Sequence, residues 1–126
     1  MRLALLVALG GAVGSVARYL AVTAAARTFG TEFPWGTFAV NVAGSFAIGA
    51  IMAAIAGWFD GSTDLRVLLV TGFLGGFTTF SAFSFEMLQL MQRQAYVAAF
   101  AYATASVLLS LLAAFLGYAA IRAVAA

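Results

Sequence analysis

Charged residues divide this chain into four long apolar runs, and no other feature limits its fold so strongly. The runs cover residues 3–26, 35–59, 65–91 and 95–121. A hydrocarbon core of roughly 30 Å is crossed by about 20 apolar residues in a helix, so each run is long enough to span. The connections are short and polar: Arg27, Gly30 and Glu32 before Pro34; Asp60, Gly61, Ser62 and Asp64; and Arg93 alone. Only 8% of the 126 residues are charged and 65% are apolar, whereas a soluble domain carries about 25% charged residues. Lipid must therefore be the solvent. The expected fold is an all-α integral membrane protein, a single transmembrane domain over residues 1–126 with four helices. The first run exceeds a signal-peptide h-region and is interrupted by Arg18, so it reads as a retained helix. Pro34 is expected in the first turn of the second helix, where its missing N–H costs nothing.

The chain has no cysteine and no histidine. That removes disulfides, the usual zinc and haem ligands, and the commonest general base at neutral pH. A net charge of +2 is too small to point to nucleic acid. With four spans, Arg2, Arg66 and Arg122 fall on one side, and Arg18, Arg27 and Arg93 on the other. This balance gives the positive-inside rule nothing to act on. Either six charges are too few to judge, or subunits insert both ways and pair antiparallel in a closed dimer.

Polar groups inside a membrane cost energy unless they are paired or line a wet path. In the first span, Gly10, Gly14, Gly11 and Ser15 lie at four-residue spacings that suit close helix packing. Arg18, one turn beyond Gly14, is expected to be a structural anchor for a loop or a carbonyl end. In the second, Thr37, Asn41, Ser45 and Gly49 recur every four residues as a stripe. Asn41 there is equally readable as interhelical glue or as an anion donor. In the fourth, Tyr102, Ser106 and Ser110 repeat the spacing, as a polar track or as packing.

The third span is the least helical in composition. Gly75-Gly76 and Thr78-Thr79 are poor helix propagators near its middle, so a broken helix is expected. Broken helices at membrane depth expose carbonyls that coordinate cations in many transporters. Phe77, Phe80 and Phe83 recur every three residues among the hydroxyls of Thr78, Thr79, Ser81 and Ser84. Ring edges are positive, and beside hydroxyl donors they can meet an anion without a fixed positive charge that would trap it.

Three motifs carry a family resemblance: residues 10–19 (GGAVGSVARY), 36–46 (GTFAVNVAGSF) and 72–83 (GFLGGFTTFSAF). In their order and spacing the chain resembles the Fluc (CrcB-like) fluoride channels over essentially its whole length. The resemblance implies an antiparallel, dual-topology homodimer with two pores at the subunit interface. It implies a broken third helix, where the carbonyls of Gly75 and Thr78 from both subunits hold a structural sodium ion. It implies that Phe80 and Phe83 line the fluoride path and that Asn41 donates to it. Tyr102, Ser106 and Ser110 fall on the family's polar track, with Thr37 and Glu86 beside the pathway. It further implies residence in a prokaryotic plasma membrane, the inner one in a Gram-negative cell, and export of cytoplasmic fluoride that entered as HF. The chain departs from the family in Ala82, where Thr is common, and in Ser15, where Ala is usual.

Other functions fit less well. A small multidrug exporter needs a carboxylate in its first helix, and residues 1–31 contain no acid. A proton-coupled fluoride carrier would have to use Glu86, the only acid within a span. A non-transporting assembly subunit leaves two hydroxyl stripes and a glycine-rich break without a purpose. An enzyme lacks a nucleophile–base pair or a ligand set.

Overall fold

The computed structural model describes residues 1–126, and all of its regular structure is helical. Helix α1, Arg2–Phe29, ends at Gly30, whose φ of 78° lies in the left-handed region open to glycine. Helix α2 is Trp35–Trp58, with Pro34 as its N-cap rather than inside the first turn. Helix α3, residues 63–77, begins where the Ser62 hydroxyl accepts the Leu65 N–H at 3.3 Å. Helix α4 is Phe80–Gln92 and helix α5 is Tyr96–Ala125. Together α3 and α4 form the third of four stretches long and apolar enough to cross a membrane, and the protein is a multi-pass membrane protein.

The helices overrun the apolar runs at several ends. Charges mark the membrane border, not the end of the backbone pattern. Thus α1 continues through Arg27 to Phe29, and α5 continues past Arg122, whose Nη1 donates back to the Tyr118 hydroxyl at 2.9 Å.

Only 17 of 126 residues are buried, so most apolar side chains, such as Leu9, Leu111 and Phe115, point outward as lipid requires. Packing is pairwise: α2 lies chiefly on α5, and α1 chiefly on α3. Small residues set both contacts. Gly10 and Gly14 are buried against the α3 backbone around Phe73. A Cβ on Gly117 would run into the Phe46 carbonyl, and one on Gly49 into the Ala114 carbonyl, so α2 and α5 cross almost backbone to backbone. The small core cluster of Leu90, Ala99 and Tyr102 sits where α4 and α5 converge, covered by Phe33, Phe38 and Phe83.

The break in the third span falls on the threonines, not the glycines. Gly75–Phe77 is still helical, while Thr78 (φ −89°, ψ 155°) and Thr79 (φ −155°, ψ 122°) are extended. β-Branched residues suit extended backbone, whereas Gly76 serves to bring α3 against Gly11 and Ser15 of α1. Ahead of the break, Arg66–Leu74 is a π-helix, which the composition does not announce. Such i→i+5 turns are rare and gather at functional sites.

Candidate functional site

The break is held from two sides. Arg18 Nε donates to the Gly76 carbonyl at 3.0 Å, which ties α1 to the residue two before the break. Asn41 grips the Thr79 peptide with both ends of its amide: Nδ2 donates to the carbonyl at 3.0 Å, and Oδ1 accepts the N–H at 2.8 Å. Thr79 in turn caps α4, its hydroxyl accepting the Ala82 N–H at 3.2 Å. Thr78 turns back, its N–H and its hydroxyl both donating to the Leu74 carbonyl. Because Thr79 gives its N–H to Asn41, the Gly75 carbonyl loses its usual helical donor. The Thr78 carbonyl accepts no hydrogen bond at all.

A cavity of about 450 Å³ opens beside the break. Gly75, Thr78 and Thr79 line it, with Asn41 and Ser45 from α2, Phe80 and Phe83 from α4, and Ser106 and Ser110 from α5. The Phe80 and Phe83 rings lie 5.3 Å apart at 40°, and Phe80 is 77% exposed. Ser106 Oγ is buried without a hydrogen-bond partner. An orphaned buried hydroxyl is costly. Ser81 is exposed outside the cavity, its hydroxyl 3.2 Å from that of Thr79.

A second cavity, about 530 Å³, lies on the other side of one helical turn. Thr37 and Glu86 form its inner wall. Thr37 Oγ1 donates to Glu86 Oε1 at 2.6 Å, and the Tyr102 hydroxyl donates to Oε2 at 2.6 Å. Tyr102 is fully buried and lines neither cavity. Its ring lies 5.0 Å from Phe83 and 5.3 Å from Phe33, so these three aromatics build the partition. The serine–tyrosine stripe of α5 is thus divided: Ser106 and Ser110 face the first cavity, while the Tyr102 hydroxyl turns to Glu86 at the second. Thr37 and Asn41 are divided likewise, one helical turn apart on α2.

Sequence reasoning overlooked Gln89, Gln92 and Arg93, which line the second cavity. Their signal was available, since positions 86, 89 and 93 share one helix face. Arg93 served there only as a marker of the turn.

Comparison with known proteins agrees with this architecture. Residues 5–118 match the family described as CrcB-like protein, Camphor Resistance (CrcB). A protein of a Chelativorans species described as fluoride-specific ion channel FluC is 58% identical over 113 residues, 90% of each chain. One of the same description from Rhizobium johnstonii is 55% identical over 122 residues, 97% of this chain and 98% of its own. Another, from Caulobacter vibrioides, is 52% identical over 114 residues, 90% of each chain. With nearly its whole length matched and its three motifs on the break and the helices that hold it, the chain belongs to the CrcB-like family.

Proposed function

We propose that this chain is the subunit of a fluoride-selective channel, acting as an antiparallel homodimer with two pores. The observation that carries the proposal is the pair of cavities: uncharged donors line the first, and one helical turn of aromatic and hydroxyl side chains parts it from the second. Members of the family named as fluoride channels cover almost all of the chain. The activity is transport, not catalysis.

Fluoride is small and strongly hydrated, and its water is costly to remove unless donors replace it at once. The first cavity offers the Ser110 hydroxyl, the second N–H of the Asn41 amide, and the edges of Phe80 and Phe83, with the Ser106 hydroxyl buried behind its lining. The Thr79 and Ser81 hydroxyls stand next to Phe80. None carries a full positive charge, so an anion is solvated without being trapped. At the partition the hydroxyls of Thr37 and Tyr102, now spent on Glu86, become donors to fluoride when the carboxylate swings aside. Passage then proceeds down the electrochemical gradient, out of the cytoplasm.

The break also suits a structural sodium ion. The Thr78 carbonyl is unpaired and the Gly75 carbonyl has lost its helical donor, which leaves two hard oxygen ligands on one wall. Joined by the same pair from a partner across a two-fold axis, they would hold sodium and pin the two breaks together. No side-chain cluster competes for that role.

The test is ion release from liposomes holding purified protein and loaded with fluoride or chloride. Rapid fluoride release that needs a potassium ionophore but no pH gradient, with little chloride release, is the expected result. Fluoride release that requires a proton gradient would favour a carrier using Glu86, the one spanning acid. No release from folded dimer would overturn the assignment.

A further inference from the structure

We infer that Arg93 is the electrostatic capture residue of the second cavity, drawing anions to the mouth from which they reach Glu86 and the partition. The inference rests on the transport function proposed above and identifies a further residue that serves it.

Positions 86, 89 and 93 follow helical spacing, so Glu86, Gln89 and the C-cap Arg93 share one face, with Gln92 beside them. All four line the second cavity, from its inner wall to its rim. Seven residues separate Glu86 from Arg93, about 10 Å at a rise of ~1.5 Å per residue. The rim is a poor place for an anion without help. Arg93 is the C-cap of α4, and α1 also ends beside the cavity, at Gly30. Helix C-termini carry the negative end of the dipole. Glu32 adds a full negative charge nearby. The Arg93 guanidinium is the only charge on the cavity lining that opposes these fields. The first turn of α2, at Trp35 and Gly36, supports it from the facing wall with the positive end of that helix.

Arg93 is placed to act through space. Its Nη2 donates to the Glu32 main-chain carbonyl at 3.3 Å, which fixes the side chain without neutralising it. The Glu32 carboxylate is 3.8 Å from Nη1 and 98% exposed, so it is a loose counterion. An exposed pair of this kind is weak, and the loosely held carboxylate only partly offsets the arginine's field at the cavity. A cation at a cavity rim raises the local concentration of anions, and here it does so by offsetting the carboxylates of Glu86 and Glu32. The two glutamines bridge the interval to Glu86 with amide N–H donors.

The test is fluoride current through reconstituted protein in planar bilayers, at constant fluoride. Ionic strength is raised with an impermeant salt from ~0.01 M to ~1 M, which shortens the Debye length from about 30 Å to about 3 Å. Arg93→Gln should carry roughly two- to fivefold less current at low ionic strength and converge on wild type at high. Arg93→Lys should stay near wild type, and Glu32→Gln should exceed it at low ionic strength only. Equal currents for wild type and Arg93→Gln at low ionic strength would overturn the inference. So would a loss in Arg93→Gln that persists at high ionic strength, because that marks a structural role. A wild type without fluoride current would remove the channel assignment and this inference with it. A conducting wild type with charge-insensitive variants would remove this inference alone.

Discussion

Asn41 and Thr79 are joined through a complete amide-to-peptide pair, with the side chain of one matching both the donor and the acceptor of the other. A side chain thereby does at membrane depth what the next turn of helix would otherwise do. Asn41→Ala leaves the Thr79 N–H and carbonyl without these partners, and buried orphans cost about 1–3 kcal/mol each. The variant should unfold at clearly lower temperature or denaturant and should lose fluoride flux as well. Unchanged stability would show that the pair does not hold the break.

Phe80 separates conduction from folding. Its ring is largely exposed in the subunit and touches little besides Phe83. Phe80→Ile keeps bulk but removes the ring edge. Fluoride flux should fall sharply while the dimer persists on size-exclusion chromatography. Unchanged flux would sink the ring-edge role.

The two serines of α5 should behave differently. Ser106→Ala deletes a buried hydroxyl that has no partner, so stability should hold or rise by up to about 1 kcal/mol while flux falls. Ser110→Ala should reduce flux more mildly, because Ser106 and Asn41 share its cavity. A thermal melt beside the flux assay separates these outcomes. Complete loss of flux from Ser110→Ala would contradict a set of shared donors.

Glu86 accepts two hydroxyls on its two oxygens. Glu86→Gln keeps one acceptor oxygen, so either the Thr37 or the Tyr102 hydroxyl loses its charged acceptor and must turn to accept from the amide, and roughly 1–3 kcal/mol of stability should go. Tyr102→Phe removes one of the two donors. The double variant should therefore be less damaged than the sum, with a coupling of at least ~0.5 kcal/mol. Additive losses would mean that the two groups do not act together.

What the sequence disclosed follows from the range of each force. The four spans were legible because solvation in lipid acts on whole segments, and a lone guanidinium at the depth of Arg18 needs an acceptor such as the Gly76 carbonyl it meets. Helix ends were less so: Arg27 and Arg122 mark the bilayer surface, and the backbone runs past both. The break was placed among Gly75-Gly76 and Thr78-Thr79, and propensity alone did not choose between the pairs; extended backbone falls on Thr78 and Thr79. Periodicity grouped Tyr102 with Ser106 and Ser110, but a tyrosine carries its hydroxyl several ångströms from its Cα, far enough to reach across the partition to Glu86. The π-helix left no trace in composition; it lies where the third span packs on α1.

That π-helix has a consequence for how the chain tolerates change in length. Each residue of an ordinary helix turns the chain by about 100°. Deleting one residue between Arg66 and Leu74 would let the stretch relax toward the ordinary helix with the downstream residues near their places, whereas adding one to a stretch already wound this loosely would swing everything downstream around the axis. Gly76 would leave Arg18, and Thr79 would leave Asn41. The aliphatic side chains of this segment are exchangeable for one another in lipid, whereas their number is not. The third span works as a measured spacer, in which a gained codon does more harm than most altered ones.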